Sequence, residues 1–531
     1  VVLDLLLQFQ KNAGLKLNKE KSEAIYLGRS KCYDKNICGI KLINEPTKVL
    51  GICISKDISE ISDLNFRDKI EKLKKLLNMW KQRRLTLYGK VTVINSLALS
   101  QLMYVSSALY VPPWVEEEVN SILFSFLWPK KVHVKHKCTI APFCEGGLRM
   151  PDYNFKLKAC KLMWIKRILQ NRKLLHYADI FGLPLSFDNM LKLNFDMKYL
   201  NNYISPFYKQ ILDYWYELKS DSFSVTAESI RSQVLCYNVN ILVDNKPITS
   251  KKLYNCVTHI QDLLDKDGNF LELNVLNGLY NLNVSIMQYN SIKDSIPPQW
   301  RKMLKGSKPV LVNKEINVLI RGKNIDVQNI TSKMIYWSLV SSIIEPPPAL
   351  LKWEYYFPNI DFVWNEIQCI PFAVTQDTAL WYLQYMIINR FFPCNYNVNK
   401  WYNNQNNLCS KCNVIDTMAH YFFECQYVTT FWNNLFEWIE NVNNVNLQLK
   451  SIDVLLGLYN PNKDLVIHAF NYCILLAKSF IYKQKKEGKD VCFAKFQTML
   501  KNSLEIERYR YSSKGKDDLF EKLWCNILRA L

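Results

Sequence analysis

The chain has 531 residues, an aromatic content of 13% and a formal net charge of +20 at pH 7. This length exceeds what one hydrophobic core serves and predicts about three to four domains. The charge indicates a polyanionic partner, with nucleic acid as the first candidate and an acidic membrane surface as the second. The sixteen cysteines are scattered without a regular spacing, which excludes a small disulfide framework and suits a reducing compartment.

The amino-terminal segment reads as one helix followed by short strands. Apolar residues at helical spacing predict a helix over 2–13 that ends at Gly14. Alternating residues predict strands over 15–18 and 24–28 around a basic turn, and another strand over 48–52. The first residue is not a methionine and no basic segment or cleavage site precedes the apolar pattern. We therefore expect a fragment and not a signal peptide.

A long amphipathic helix is predicted over 65–82, with a buried stripe that includes Phe66, Ile70 and Leu73. Cations cover its remaining surface and continue past its end. A solvated helix face is the alternative, but the excess of one sign favours a surface that faces phosphates. The candidate nucleic-acid contacts here are Arg67, Lys72, Lys74, Lys75, Lys81, Arg83, Arg84 and Lys90.

Three more helices are predicted over 90–109, 115–128 and 153–169. The stretch 91–115 has no charged residue and is long enough to span a bilayer, but polar residues interrupt it and two prolines end it. These interruptions favour a buried helix in a soluble domain, with no membrane partner. Nearby, His133, His136 and Cys138 lack the fourth ligand that would complete a metal site.

In the second half, alternation over 310–327 predicts a β-hairpin tipped by Arg321, Gly322 and Lys323. Three prolines at 346–348 predict a rigid joint and a domain boundary. An apolar helix is predicted over 375–390, where Trp381, Tyr382, Tyr385 and the following Phe391 are better explained by core packing than by base stacking. Further helices are predicted over 465–485 and from 491 to the end.

The strongest local signal is a cluster of three cysteines and one histidine: Cys409, Cys412, His420 and Cys425. Three thiolates and one imidazole at this spacing are the ligands of a closed tetrahedral zinc site, with the last pair brought round by a helical turn or a short loop. The alternative is a half-buried helix, but the asparagine-rich stretch 403–407 indicates a loop. The flanking cations Arg390, Lys400 and Lys411 are candidate nucleic-acid contacts.

Several of these motifs carry a resemblance to a known family. Gly14–Asn18, Lys21–Glu23 and Val49–Ile52 resemble the end of the palm in LINE-type (non-LTR) retrotransposon reverse transcriptases. The next elements are similar in order to the thumb of that family: Trp80–Lys81, Leu85–Val91, Pro112, Phe126–Trp128, Gly146–Leu148 and Pro151–Asp152. The cluster of Cys409, Cys412, His420 and Cys425 resembles the cysteine–histidine motif of the family's C-terminal segment.

The resemblance implies a mainly α multidomain fold. The implied segments are a small α/β palm remnant (1–55), a helical thumb (56–173), a mostly helical connector with a β-hairpin (174–345), a segment with a CCHC zinc knuckle (346–450) and a C-terminal helical region (451–531). It also implies that the intact protein is an RNA-directed DNA polymerase in a cytoplasmic and nuclear ribonucleoprotein particle. Its partners would be RNA and DNA, as template, primer and target site, together with the family's missing N-terminal palm, fingers and endonuclease.

The catalytic centre implied by the family is expected to lie outside this chain. The family's metal-binding aspartates hold the Mg²⁺ ions of the intact polymerase. Asp4 has no acidic neighbour, and none of the 531 residues matches those aspartates, so we expect the fragment alone to be inactive. Lys21 matches the lysine of the last palm motif and is a possible catalytic group, with a surface lysine as the equal alternative.

Two other hypotheses remain open at this point. The chain can be a stand-alone zinc-dependent nucleic-acid-binding protein, decayed or co-opted from such an element, without enzymatic activity. It can also be a helical scaffold whose charge only keeps it in solution, in which case retention on RNA would not depend on salt.

Overall fold

Helices dominate the structure, and the predicted mainly α fold with small sheets is confirmed. The structure is a computed structural model. It describes residues 2–25, 36–37, 39–43, 45–171, 174, 183, 185–192, 195, 197–199, 204–219, 225–310, 316–403, 406–445 and 449–531. The finer assignment to palm, thumb and connector remains a prediction.

The chain forms two units, and each unit is assembled from three separate stretches. Unit 1 comprises 1–75, 99–120 and 153–339, and unit 2 comprises 76–98, 121–152 and 340–531. The five consecutive segments given above remain a prediction.

The described residues of unit 1 form many short helices and four small sheets. Its helices, including those that continue across a boundary of the unit, are Val2–Ala13, Glu60–Lys81, Ser100–Ala108, Pro113–Leu127, Tyr153–Gln170, Phe187–Lys192, Met197–Tyr199, Pro206–Lys219, Ala227–Arg231, Lys251–Cys256, Ile260–Leu263, Leu273–Tyr280, Ile286–Ser295, Pro298–Leu304, Val327–Asn329 and Ser332–Ile343. Its strands are Glu23–Ile25, Asn36–Ile37, Ile40–Ile43, Thr47–Val49, Ile52–Ile54, Leu242–Val243, Lys246–Pro247, Asn317–Ile320 and Lys323–Asp326.

The amino-terminal helix is confirmed, but the strand predicted after it is wrong. The helix spans Val2–Ala13, and Gly14 ends it with a φ of 68°. Residues 15–18 form no strand, because a local turn satisfies their polar groups: Asn18 Oδ1 accepts a hydrogen bond from the Lys21 amide at 3.1 Å. The next strand is Glu23–Ile25, and the remainder of the predicted strand 24–28 lies outside the described residues.

The single strand predicted over 48–52 is instead the tip of a β-hairpin, with a turn in its middle. Thr47–Val49 pairs antiparallel with Ile52–Ile54, and Leu50 and Gly51 connect them with φ values of 48° and 83°. Positive φ at both central residues defines the tight turn that matches the twist of a two-residue hairpin. Leucine seldom adopts this conformation, which is why the alternating pattern indicated a continuous strand.

The hairpin predicted over 310–327 is confirmed among the described residues. Asn317–Ile320 pairs antiparallel with Lys323–Asp326, and Arg321 and Gly322 form the turn. Both turn residues have positive φ values, 50° and 73°. Residues 311–315 lie outside the described part of the chain.

The long basic helix is confirmed and begins earlier than predicted, at Glu60. We call Glu60–Lys81 the basic helix. Its predicted apolar stripe is buried at Phe66, Ile70 and Leu73.

The single helix predicted over 90–109 is broken. Leu87–Val93 is followed by a π-helical turn, Ile94–Ala98, and the chain resumes as Ser100–Ala108. The Thr92 hydroxyl donates to the Tyr88 carbonyl at 3.0 Å, and the Ser96 hydroxyl donates to the Thr92 carbonyl at 2.7 Å. Hydroxyls bonded to carbonyls one turn earlier bend helices, which fits the break.

Unit 2 is an assembly of helices. Its helices, apart from those shared with unit 1, are Leu87–Val93, Ile94–Ala98, His136–Thr139, Phe143–Glu145, Pro348–Tyr356, Trp364–Ile367, Ile370–Val374, Thr378–Ile388, Asn395–Tyr402, His420–Glu424, Gln426–Asn443, Ser451–Leu456, Leu465–Lys486, Phe493–Ser512 and Asp517–Ala530. The predicted helix 375–390 is thus Thr378–Ile388, and the last predicted stretch is two helices.

Leu465–Lys486 is the central helix of unit 2. It is long and apolar enough to cross a membrane, but 67% of its most apolar stretch is buried inside the molecule. The helices Leu87–Ala98 and Ser100–Ala108 are together long and apolar enough as well, but the chain is bent between them. Burial on this scale is what the core helix of a helical assembly shows.

Each unit contains a buried lysine whose amine donates a hydrogen bond to a carbonyl at the end of another helix. In unit 1, the fully buried Lys161 donates to the Leu109 carbonyl, which follows the helix Ser100–Ala108. In unit 2, Lys478 lies on the central helix and donates to the Leu455 carbonyl at 3.1 Å. Carbonyls in the last turn of a helix lack amide partners, so a buried amine at that position satisfies groups that would otherwise stay unpaired.

Replacement of Lys478 by methionine should change how stability depends on pH. Burial lowers the pKa of Lys478 from 10.5 to about 7. Between those pH values the unfolded chain therefore binds a proton that the folded chain lacks, and wild-type stability rises with pH. We expect the free energy of unfolding of wild type to rise relative to Lys478→Met by about 1 kcal/mol per pH unit from pH 7 to pH 9.

Urea unfolding at pH 7, 8 and 9 measures this difference. Lys522→Met, at an exposed position of unit 2, is the control and should show no such trend. If the difference in free energy of unfolding between wild type and Lys478→Met stays constant with pH, the amine of Lys478 remains charged in the folded state.

Candidate metal centre and basic surfaces

We call the segment 406–425 the metal loop. Its first two candidate ligands, Cys409 and Cys412, lie on a tight turn. Leu408 and Ile415 form an antiparallel bridge, and the Cys409 amide donates to the Val414 carbonyl at 2.7 Å. Asn413 has a φ of 60°, a conformation that asparagine tolerates better than most residues. The turn therefore folds Cys412 back beside Cys409.

The second pair of ligands, His420 and Cys425, is brought round by a helical turn and not by a short loop, the two arrangements that the spacing allowed. His420–Glu424 is a π-helical turn, and its first amide donates to the Thr417 hydroxyl at 3.1 Å. Cys425 follows it and begins the helix Gln426–Asn443. The Cys425 amide donates to the His420 carbonyl at 3.1 Å, which closes the turn.

All four predicted ligands converge. One ligand atom from each of Cys409, Cys412, His420 and Cys425 lies within 4.8 Å of the other three. Cys412 Sγ lies 3.1 Å from His420 Nε2 and 4.0 Å from Cys425 Sγ. Three of the residues are buried and Cys412 is half-buried, so the group can hold a metal ion shielded from water.

The thiols differ in how easily they ionise. Burial acts to raise the pKa of Cys409, but hydrogen bonds from the Lys411 and Cys412 amides and from His420 bring it down to about 7. Burial raises the pKa of Cys425 to about 11, and the charges of Cys409 and Cys412 add to that effect. Several thiolates held this close together repel one another, and a bound cation would compensate their charge.

The metal loop is anchored to the core of unit 2 by aromatic side chains. The Phe392 ring lies 4.6 Å from the Phe422 ring and 5.2 Å from the Tyr482 ring, which belongs to the central helix. Trp432 donates its indole N–H to the Phe422 carbonyl, and Phe422 and Trp432 are fully buried. These contacts fix the position of the second ligand pair.

Among the described residues, these four are the group of histidine, cysteine and acidic side chains that can share an ion. His133 stacks on Phe391, with ring centroids 4.8 Å apart, and His136 lies 3.5 Å from Asp152. Cys138 is buried.

No protein-family model matches the chain.

Three of the predicted cations on the basic helix are paired with acids of unit 1. Arg67 contacts Asp63 at 2.9 Å and Lys72 contacts Asp68 at 2.7 Å. Lys74 contacts both Glu71 and Glu118, and these hydrogen bonds raise its pKa. Exposed pairs of this kind contribute little to stability, so a phosphate can compete for the cations.

The other cations of this region differ in exposure. Lys75, Lys81, Arg83 and Arg84 are exposed, and none of them has a carboxylate partner within the described ranges. The Arg83 guanidinium lies 4.9 Å from the Trp80 ring. Lys90 is half-buried and donates to the Leu127 carbonyl at 3.0 Å, which directs its amine into unit 2.

The predicted cations in and near the metal loop also differ in exposure, and Arg390 is half-buried. Arg390 has a φ of 58°, and its guanidinium lies between the Trp353 ring (4.7 Å) and the Tyr356 ring (4.8 Å). Lys400 and Lys411 are exposed. Lys411 lies 5.8 Å from the Tyr427 ring.

Lys21, the possible catalytic residue, is exposed in the turn that follows Asn18. The aromatic residues of the helix Thr378–Ile388 pack inward, as expected. Tyr385 and Phe391 are buried, and Trp381 is half-buried with its indole N–H bonded to the Pro371 and Thr375 carbonyls at 3.0 and 2.9 Å.

One group of residues was not singled out by the sequence. Tyr421, Tyr427 and Tyr482 line a cavity beside the metal loop together with lysines from the end of the central helix. The basic end of that helix and its own Tyr482 were visible in the sequence, but Tyr421 and Tyr427 lie 61 and 55 positions before Tyr482. No local pattern links them.

Removal of two ligands should abolish metal binding and leave unit 1 folded. Cys409→Ser/Cys412→Ser eliminates two thiolates of the cluster, and structural metal sites contribute folding energy to the segment that holds them. We expect the purified variant to contain about one metal ion less per chain than wild type. Elemental analysis measures this loss, and hydrogen exchange of the helix Tyr153–Gln170 reports on unit 1.

Cys492→Ser/Cys525→Ser is the matched control, because it removes two half-buried cysteines of unit 2 outside the cluster. It should retain the metal. Cooperative unfolding of both units in the ligand variant would contradict a locally folded metal loop.

Proposed function

We propose that the chain binds nucleic acid through basic surfaces that a structural zinc ion helps to shape, as the C-terminal part of a LINE-type reverse transcriptase. The observation that carries the zinc assignment is the convergence of the four ligand atoms within 4.8 Å. A tetrahedral ion with Zn–S bonds of 2.3 Å places two sulfurs about 3.8 Å apart, close to the 4.0 Å between Cys412 and Cys425.

Four protein ligands leave no open position on the ion, so its role is structural and not catalytic. The chain's contribution to the intact polymerase is then to hold template RNA and primer or target DNA. Phosphate contacts from lysine and arginine give affinity and position without sequence selection. The net charge of +20 supports such a role.

The structure supports some of the candidate contacts more than others. Lys75, Lys81, Arg83 and Arg84 are exposed and have no acid partner in the described part of the chain, so they are the strongest candidates. Lys400 and Lys411 are exposed close to the metal loop in sequence. Lys90 and Arg390 hold carbonyl or aromatic partners and are better placed to stabilise unit 2.

A stand-alone zinc-dependent nucleic-acid-binding protein is the second candidate, because both functions rest on the same cluster and cations. The coding sequence upstream of Val1 distinguishes them. A paired-aspartate motif in frame within about 30 codons supports the polymerase. A start or stop codon at that place supports the stand-alone protein.

Loss of the exposed cations at the end of the basic helix and just after it should weaken the salt dependence of nucleic-acid binding. Lys81→Gln/Arg83→Gln/Arg84→Gln removes three charges, and each lost phosphate contact lowers the slope of log affinity against log salt by about 1. We therefore expect a slope lower by about 2 to 3 for a structured RNA or an RNA–DNA duplex, measured by fluorescence anisotropy at several salt concentrations.

Lys501→Gln/Lys514→Gln/Lys522→Gln removes the same charge from exposed positions of the last two helices and their connection. This control should keep most of the wild-type slope. Equal slopes for the two triple variants would mean that net charge alone retains the nucleic acid. Salt-independent retention of wild type would favour the scaffold hypothesis.

A further inference from the structure

A cavity of about 450 Å³ opens beside the metal loop, at the end of the central helix of unit 2. We call it the lysine–tyrosine cleft. Its defining residues are Lys411, Tyr421, Tyr427, Tyr482, Lys485 and Lys486. The volume lies within the range of sites that enclose small molecules or single groups of a larger ligand.

Cations and aromatic rings are paired along the cleft. Lys485 Nζ lies 4.4 Å from the Tyr421 ring centre, and the amines of Lys411 and Lys486 lie 5.8 and 5.9 Å from Tyr427 and Tyr482. Tyrosine faces stack on nucleobases of any sequence, and adjacent amines bind phosphate. This combination selects a ligand that has both a planar ring and a negative charge.

The three lysines have different tasks. Lys485 is half-buried and donates to the Tyr421 carbonyl at 2.7 Å, so it holds the wall of the cleft. Lys486 is exposed and has no acid partner within the described ranges. Lys411 lies 3.5 Å from Asp490 in an exposed pair, which a phosphate can displace. Lys411 and Lys486 are therefore the cations available to a ligand.

The charge of the lining favours an anion. Lys489 also lines the cleft but contacts Glu487 at 2.7 Å, and the acidic lining residues are Asp416 and Asp490. Asp416 is buried, with one oxygen bonded to the Asn395 amide at 3.0 Å. Because Glu487 compensates Lys489, three lysines against two carboxylates leave the lining positive, which disfavours a metal cation and favours a phosphate.

We propose that the lysine–tyrosine cleft binds one unpaired nucleotide, with its phosphate on Lys411 and Lys486 and its base against the tyrosines. The proposal rests on the proposed nucleic-acid-binding function and specifies a single-stranded segment as the ligand at this site. A duplex does not present an unstacked base, so the cleft should distinguish single strands from blunt duplexes.

Two variants of the 531-residue, metal-loaded chain test this inference. Lys411→Gln/Lys486→Gln removes the available cations, and Tyr427→Leu removes an exposed ring. The matched controls are Lys495→Gln/Lys522→Gln and Tyr509→Leu, which change exposed residues of the last two helices. Elemental analysis verifies equal metal content in all samples.

The probes are a fluorescent eight-nucleotide single strand and a blunt duplex of the same sequence. We expect each cleft variant to weaken binding of the single strand about tenfold and binding of the duplex no more than about twofold, with both controls close to wild type. Competition by adenosine monophosphate then shows whether a free nucleotide also enters the cleft. Its failure to compete, with the variant effect retained, assigns the cleft to a nucleotide within a strand.

Unchanged single-strand affinity in both cleft variants would overturn the inference, and so would equal losses for single strand and duplex. In either case salt-sensitive binding of the duplex by wild type would leave the proposed function in place. Failure of wild type to bind either probe at low salt would contradict both proposals.

Discussion

Lysine amines that donate hydrogen bonds to carbonyls at helix ends are the interaction on which much of this structure depends. The last carbonyls of a helix have no amide partner and carry the negative end of the helix dipole, so an amine satisfies both needs. Among the residues that the structure describes, five lysines act in this way, each on the carbonyl given with it: Lys90 (Leu127), Lys161 (Leu109), Lys219 (Leu191), Lys478 (Leu455) and Lys485 (Tyr421). Lys161 and Lys478 are buried and the other three are half-buried. These contacts connect helices within each unit that are far apart in sequence. They also mean that part of the lysine content satisfies carbonyls inside the protein and does not face a ligand.

Because some lysines bond to carbonyls or acids of the protein, the net charge overstates how many cations are available to a nucleic acid. A lysine in an amphipathic helix counts as a surface charge in sequence, although its amine can be directed inward or paired. Arg67, Lys72 and Lys74 carry acid partners, whereas Lys75 and Lys81 do not within the described residues. Nucleic-acid binding is therefore best attributed to a subset of the cations. The paired residues remain available only at the modest cost of exchanging a carboxylate for a phosphate.

The metal loop depends on the same helices as the cations around it. Its second ligand pair lies at the two ends of a π-helical turn: His420 begins the turn and Cys425 follows it. The Tyr421 carbonyl of this turn accepts a hydrogen bond from Lys485, and Phe422 is buried. A metal ion would therefore fix both the loop and the wall of the adjacent cleft. Proposed zinc binding and proposed nucleotide binding are linked through Tyr421 and Lys485, although the two sites use different side chains for their ligands.

The sequence by itself determined the helical character, the end of the first helix and the four candidate metal ligands. These features have local causes: apolar spacing defines the basic helix, Gly14 ends the first helix, and Cys409 and Cys412 lie three positions apart. Tertiary structure decided where the chain departs from local patterns. It turned the predicted strand at 48–52 into a hairpin turn, broke the helix after Lys90, and brought Tyr482 and Lys486 beside Lys411. The turn was missed because leucine seldom adopts a positive φ, and the break because apolar spacing hides the hydroxyls of Thr92 and Ser96 that bond back to carbonyls. The cleft was missed because its residues are distant in sequence, and a lysine has the same local pattern whether its amine meets water, a carboxylate or a helix end.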